Sequence, residues 1–202
     1  MIYDLTHPIT DGMPVYPGDP AVQIRQVLTI EADGCADRQL TMGTHNGTHM
    51  DAPAHMIDGG KQLKDFAAAD FVRSAVCIDA RSGFDAAAVA AAITNPGMAV
   101  LFYTGASERF TAESYWSDYL VLDDETIRVL IENGVGMVGV DTGSFDNADG
   151  FPVHKSLLSA DILLIENLAG LESLIGKTFE LIALPLKLEA DGAPARVIAK
   201  LA

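Results

Sequence analysis

Four short apolar runs limit the architectures open to this chain. Val76-Cys77-Ile78-Asp79, Val100-Leu101-Phe102-Tyr103, Met137-Val138-Gly139-Val140 and Ile162-Leu163-Leu164-Ile165 are nearly continuous in hydrophobic residues. A strand with one wet face alternates apolar and polar residues, so an unbroken run implies a strand covered on both faces. Helical segments lie between the runs. Asp85 can cap a helix from Ala86 to Ile93, and Asn95-Pro96-Gly97 stops it. Asp123-Asp124 can cap another through Asn133, with Gly134 in a C-cap role.

The C-terminal stretch reads as a hairpin, Leu181 to Leu188 and Ala195 to Leu201, with Asp191-Gly192 as its turn signal. No internal repeat or long linker divides the chain. Its 202 residues suffice for one well-buried core and hardly for two. The expected architecture is α/β, a single domain over residues 1–202 in which a mixed sheet carries flanking helices.

Composition narrows the partners. Lys and Arg total 13 against 28 Asp and Glu, a formal net charge of −15. Long-range repulsion therefore disfavours nucleic acid and anionic membrane surfaces, and no basic cluster offsets it. No apolar run approaches the roughly 20 residues that cross a bilayer. The opening Met1-Ile2-Tyr3-Asp4 is promptly acidic and reads as no signal peptide. Cys35 and Cys77, far apart and without C-x-x-C spacing, read as free thiols of a reducing compartment. A cytoplasmic protein acting on a small molecule is expected.

The chemistry concentrates in His45-Asn46-Gly47-Thr48-His49-Met50-Asp51-Ala52-Pro53-Ala54-His55. This segment holds three histidines, and the rest of the chain only His7 and His154. The three histidines and Asp51 all fall at odd positions, so an extended segment would turn them to one face. Imidazole and carboxylate together suit zinc or manganese. On a flat strand, however, His45 and His49 would stand about 13 Å apart, so the chain must bend between them. Asn46-Gly47 is a strong turn dipeptide, and Pro53 ends regular pairing by removing a backbone donor.

Written as His-x-Gly-Thr-His-x-Asp-x-Pro-x-His, the segment from His45 to His55 resembles the signature of the cyclase or kynurenine formamidase (arylformamidase) family of metal-dependent hydrolases. Asp4-Leu5-Thr6-His7-Pro8 and Pro14-Val15-Tyr16-Pro17-Gly18-Asp19 resemble its opening. Gly139-Val140-Asp141-Thr142, with Ser144 and Asp146, is similar to its middle loop. Ile182 to Lys187 and Asp191 to Arg196 are similar to its closing hairpin.

The resemblance implies the swivelling β/β/α fold of that family, a two-metal centre and a homodimer whose partner's N-terminal loop helps to close the pocket. It implies His45 and His49 as ligands of one ion, Asp51 as a bridge, His154 as a ligand of the second and Glu166 as a further bridge. His55 would be the proton donor and acceptor. Tyr16 stands about where formamidases carry an aromatic that stacks on substrate, often tryptophan. Zinc is the first expectation for the metal and manganese the second.

Each position also has a plainer reading. His154, beside Pro152-Val153, could be a surface or capping residue, and Tyr16 in a Pro/Gly-rich loop could be a packing cover. Asp141, Ser144 and Asp146 could support the ligand side chains from behind, but structural capping is the stronger reading. Glu166 is harder to explain that way, because a carboxylate ending the buried run Ile162–Ile165 is unusual without a partner. The implied activity is hydrolysis of a carbon–nitrogen bond, with N-formylkynurenine as lead aryl formamide. The alternatives are opening of a small cyclic amide, as isatin-hydrolase-like relatives would do, and an inactive metal- or small-molecule-binding protein.

Overall fold

The computed structural model describes residues 1–201. Its strands are β1 (Ile2–Asp4), β2 (Gln23–Leu28), β3 (Asp37–Thr41), β4 (His49–Asp51), β5 (Val72–Asp79), β6 (Ala99–Tyr103), β7 (Met137–Val140), β8 (Leu163–Glu166), β9 (Thr178–Pro185) and β10 (Gly192–Lys200). The helices are α1 (Ile30–Asp33), α2 (Ala86–Ala92), α3 (Asp124–Glu132) and α4 (Pro152–Ser159). No helix among the described residues is long and apolar enough to cross a membrane.

The main sheet runs β1-β10-β4-β8-β7-β6-β5-β9, and β9 pairs back onto β10 to close it into a barrel. Neighbours from β5 through β8 are parallel, and the other pairings are antiparallel. The expected α/β class with a mixed sheet and flanking helices is what forms.

The side-chain alternation of β6 explains its unbroken apolar run. Ala99, Leu101 and Tyr103 join Leu5, Met50, Ile165 and Leu181 in the core inside the barrel. Val100 and Phe102 face the other way and pack with Val89, Leu130 and Leu157 from the covering helices. Both faces of the strand are dry, so neither needs polar residues.

The helix signals act as expected. The Asp85 carboxylate accepts from Ala87 N and Ala88 N at the start of α2. Asp123 accepts from Thr126 N at the start of α3, and Gly134 after its end has φ +66°.

The C-terminal hairpin forms, but its turn differs from the sequence reading. Ala195 pairs with Pro185, while Gly192, Ala193 and Pro194 pair with Asp51, Met50 and His49 of β4. Asp191-Gly192 is therefore the entry to β10 and not a tight turn. A Cβ on Gly192 would lie 2.4 Å from His45 Cε1, so the close approach to that ring requires glycine. A second sheet, the β2–β3 ribbon, had no burial pattern to announce it, since β3 is exposed throughout.

Candidate metal centre

The register of two strands builds the floor of the site. β4 and β8 are antiparallel, with His49 opposite Glu166 and Asp51 opposite Leu164. Met50 and Ile165 point into the barrel core. Side chains alternate along a strand, so His49, Asp51 and Glu166 share the outer face. All three are buried.

His45 reaches the same place through the expected bend. Gly47 has φ +68°, and the His45 and His49 ring centroids are 5.1 Å apart. The odd-position alternation holds only for His49 and Asp51, because His45 lies in the turn and His55 ends the short helical turn Pro53–His55. His55 stacks on His45 at 3.9 Å between centroids. His154 arrives from the first turn of α4, its ring 5.8 Å from that of His55.

Carboxylates face nearly every ring nitrogen. His45 sets Nδ1 2.7 Å from Asp51 Oδ1 and Nε2 3.0 Å from Asp191 Oδ2. His154 sets Nδ1 2.7 Å from Asp146 Oδ2 and Nε2 3.0 Å from Glu166 Oε1. Burial alone would lower the pKa of His45, but Asp51 and Asp191 outweigh it and raise it to about 9. At His154 burial is likewise outweighed, by Asp146, Asp51 and Glu166, and the pKa stands well above the usual histidine range. Burial of Asp51 favours its neutral form, yet His49 and His45 hold its carboxyl well below the usual range.

Two atoms of the cluster remain unpaired. His49 donates from Nδ1 to Gly47 O at 2.8 Å, while its Nε2 lies 3.2 Å from Asp51 Oδ1 and 3.4 Å from Glu166 Oε2 without hydrogen-bonding alignment. Asp51 Oδ2 is also buried without a partner. Buried polar atoms are seldom left so, and a bound cation would satisfy both. Ligand atoms of His45, His49 and Asp51 lie within 4.8 Å of one another, as do those of Asp51, His55 and His154, and those of His45, His55 and Asp191. The imidazole and carboxylate donors fit a divalent transition-metal ion.

Above the cluster opens a cavity of about 430 Å³, lined by Tyr16, His45, His55, Phe151, His154 and Glu166 among others. Tyr16 stands edge-on to Trp116 at 6.0 Å. All seven residues singled out by the sequence thus gather at one place. His7 lies apart, stacked on Phe110.

One contributor escaped the sequence reading, and a second does more than the capping favoured for it. Asp191, taken as a turn residue, holds both His45 Nε2 and His55 Nδ1, at 3.0 and 3.1 Å. Asp146 does cap, accepting from Val153 N and His154 N, but the same carboxylate also contacts the His154 ring. Asp141 is structural, accepting from Thr104 N, Thr104 Oγ1 and Gly105 N.

Fold and site together define an α/β-barrel protein whose histidine–carboxylate cluster has the donors to hold a metal ion and lies beneath an open cavity. The family described as "Putative cyclase" matches residues 3–147. Kynurenine formamidase of Polaromonas naphthalenivorans (strain CJ2) is 30% identical over 205 residues, covering 98% of this chain and 89% of that protein. The chain belongs to the cyclase family.

Solved structures agree. A potential metal-dependent hydrolase with cyclase activity superposes with a TM-score of 0.82 at 30% identity, over 98% of this chain and 96% of that one. Isatin hydrolase A from Labrenzia aggregata, bound to benzyl benzoate, superposes with a TM-score of 0.87 at 27% identity, over 98% and 93%.

Proposed function

We propose that this cyclase-family hydrolase is a metal-dependent amidase that cleaves a carbon–nitrogen bond in a small acylated arylamine. The lead substrate is an aryl formamide such as N-formylkynurenine, the compound class named in its formamidase relative. The observation that carries the reading is the pairing of His55 with the cluster. Its ring lies against His45 and beside His154 while Asp191 occupies its Nδ1.

In this reading His45, His49, Asp51, His154 and Glu166 would together hold two divalent ions, His45 and His49 serving one and His154 the other, with the carboxylates of Asp51 and Glu166 shared. Zinc is the first choice and manganese the second. Ions held there would polarise a carbonyl and lower the pKa of a water toward neutrality. The negative charge of Asp51 and Glu166 would offset the repulsion between two cations held there. His45, His49 and His154 must give up a proton to serve as ligands. Asp191 fixes the His55 ring through Nδ1, so Nε2 is the atom that takes up a proton and delivers it to the departing nitrogen. Tyr16 walls the cavity on the substrate's side.

One observation favours opening of a small cyclic amide as the second reading. No Lys or Arg lines the cavity among the described residues, whereas Asp19 and Glu166 do. A neutral lactam needs no cationic side chain to receive it, whereas a substrate carboxylate would find none there to pair with. The same proposal takes residues 1–202 as one catalytic domain in a cytoplasmic homodimer. Free Cys35 and Cys77 support the reducing compartment, and the β2–β3 ribbon, with Ile30 73% exposed between its strands, offers a surface for a second copy.

The test is turnover of N-formylkynurenine and of isatin by metal-quantified protein, before and after chelation and after reloading. Chelator-sensitive turnover of either compound, restored by metal, supports the amidase. Turnover that survives complete metal removal contradicts it.

A further inference from the structure

One residue at the cavity is held in a backbone conformation that its own helix does not require. Phe151 precedes Pro152 and has φ +52° and ψ +56°. That is the left-handed region, uncommon for any residue with a side chain and unfavourable for a bulky one. A following proline pushes the residue before it toward extended backbone instead. Strain of this kind collects at ligand sites, where the surroundings impose it.

Neither usual structural reason for keeping a phenylalanine applies. It occupies the N-cap position of α4, but its side chain makes no capping bond, and Asp146 takes the Val153 and His154 amides instead. It is not core, because it remains 38% exposed. Asparagine or glycine would tolerate the backbone better and would suit the start of a helix as well. What the ring does is line the 430 Å³ cavity and stand edge-on to His154 at 6.0 Å.

We propose that Phe151 is a specificity-determining residue, its ring forming the wall that, with Tyr16, accepts a flat aromatic group beside the histidine–carboxylate cluster. Aromatic rings favour offset or edge-to-face contact with one another, so this wall selects aryl over aliphatic ligands of equal polarity. Calling that ligand the substrate rests on the amidase reading, but its binding does not.

The experiment therefore reads binding first. The probes are 1-indanone, a flat ketone with no carbon–nitrogen bond to cleave, and cyclopentanone, its aliphatic counterpart. Binding to the metal-loaded protein is followed by fluorescence of Trp116, the chain's single tryptophan, which touches Tyr16. Phe151→Asn should weaken 1-indanone about tenfold, leave cyclopentanone unchanged and keep or raise Tm. Phe151→Tyr should restore 1-indanone, and Phe151→Leu, which keeps apolar bulk without a ring, should not.

Unchanged 1-indanone affinity in Phe151→Asn and Phe151→Leu overturns the assignment. So does an equal loss for both ketones, or no binding of 1-indanone by the unmodified protein. Ring-dependent binding without hydrolysis of any amide leaves Phe151 assigned and rejects the amidase. Turnover of an aryl formamide with the same KM in the unmodified protein and Phe151→Asn does the reverse.

Discussion

Loading the metal should expel protons, and the geometry says how many. Both nitrogens of His45 face carboxylate oxygens, as do both nitrogens of His154. Ionised carboxylates only accept, so this surrounding favours the doubly protonated ring and raises the pKa of both histidines in the metal-free protein. His49 is raised as well, burial being outweighed by Asp51 and Glu166. A metal ligand must be a neutral imidazole, so full loading at pH 7 should release about two protons, from His45 and His154, with His49 adding to them as pH falls. For His45, with a pKa of about 9, deprotonation at pH 7 costs about 3 kcal/mol at roughly 1.4 kcal/mol per unit.

Metal affinity should therefore climb steeply from pH 6 to 9. The metal-free fold should move the opposite way. A raised folded pKa contributes stability that is complete below the unfolded value of 6.5 and fades as pH rises through about 9. Calorimetric zinc titrations in buffers of different ionisation enthalpy count the protons directly. Release of less than one proton at pH 7 would refute the reasoning, because the ring nitrogens would then not be where the metal binds.

Three substitutions probe single parts of the account. Asp51→Asn removes a bridging charge and should sharply lower metal content measured by mass spectrometry; full occupancy would remove Asp51 from its bridging place. His55→Ala should keep its metal and lose about 10²- to 10⁴-fold in kcat, the usual contribution of a general acid–base. Metal lost along with activity would make His55 a ligand. Gly192→Ala places a Cβ 2.4 Å from His45 Cε1 and 2.9 Å from Nε2, so the ring must shift. Zinc affinity should fall while the circular dichroism spectrum is kept, and unchanged affinity would show that His45 can move freely.

What the sequence revealed, it revealed through local physics. The unbroken run around Val100 reflects dry surroundings on both faces of β6, and Asp85 and Asp123 cap the helices that follow them. The histidine spacing, together with the Asn46-Gly47 bend, was enough to gather one side of the cluster. Asp191 was hidden because an Asp-Gly pair looks the same whether it turns a hairpin or offers its carboxylate to a histidine 146 residues away in sequence. The partner switch of β10, from β4 to β9, is set by tertiary pairing and leaves no local mark. The β2–β3 ribbon buries too little to generate a pattern. Phe151 runs against its local preference, since the residue before proline reads as extended.

In the proposed function His45, His49, Asp51, His154 and Glu166 together hold two ions. Crystals grown with zinc and measured on either side of the zinc absorption edge test it most directly. The account predicts two anomalous peaks about 3.5–4 Å apart, with Asp51 and Glu166 reaching both. A single peak held by His45, His55 and Asp191, one of the competing groupings of donors in this structure, would contradict it.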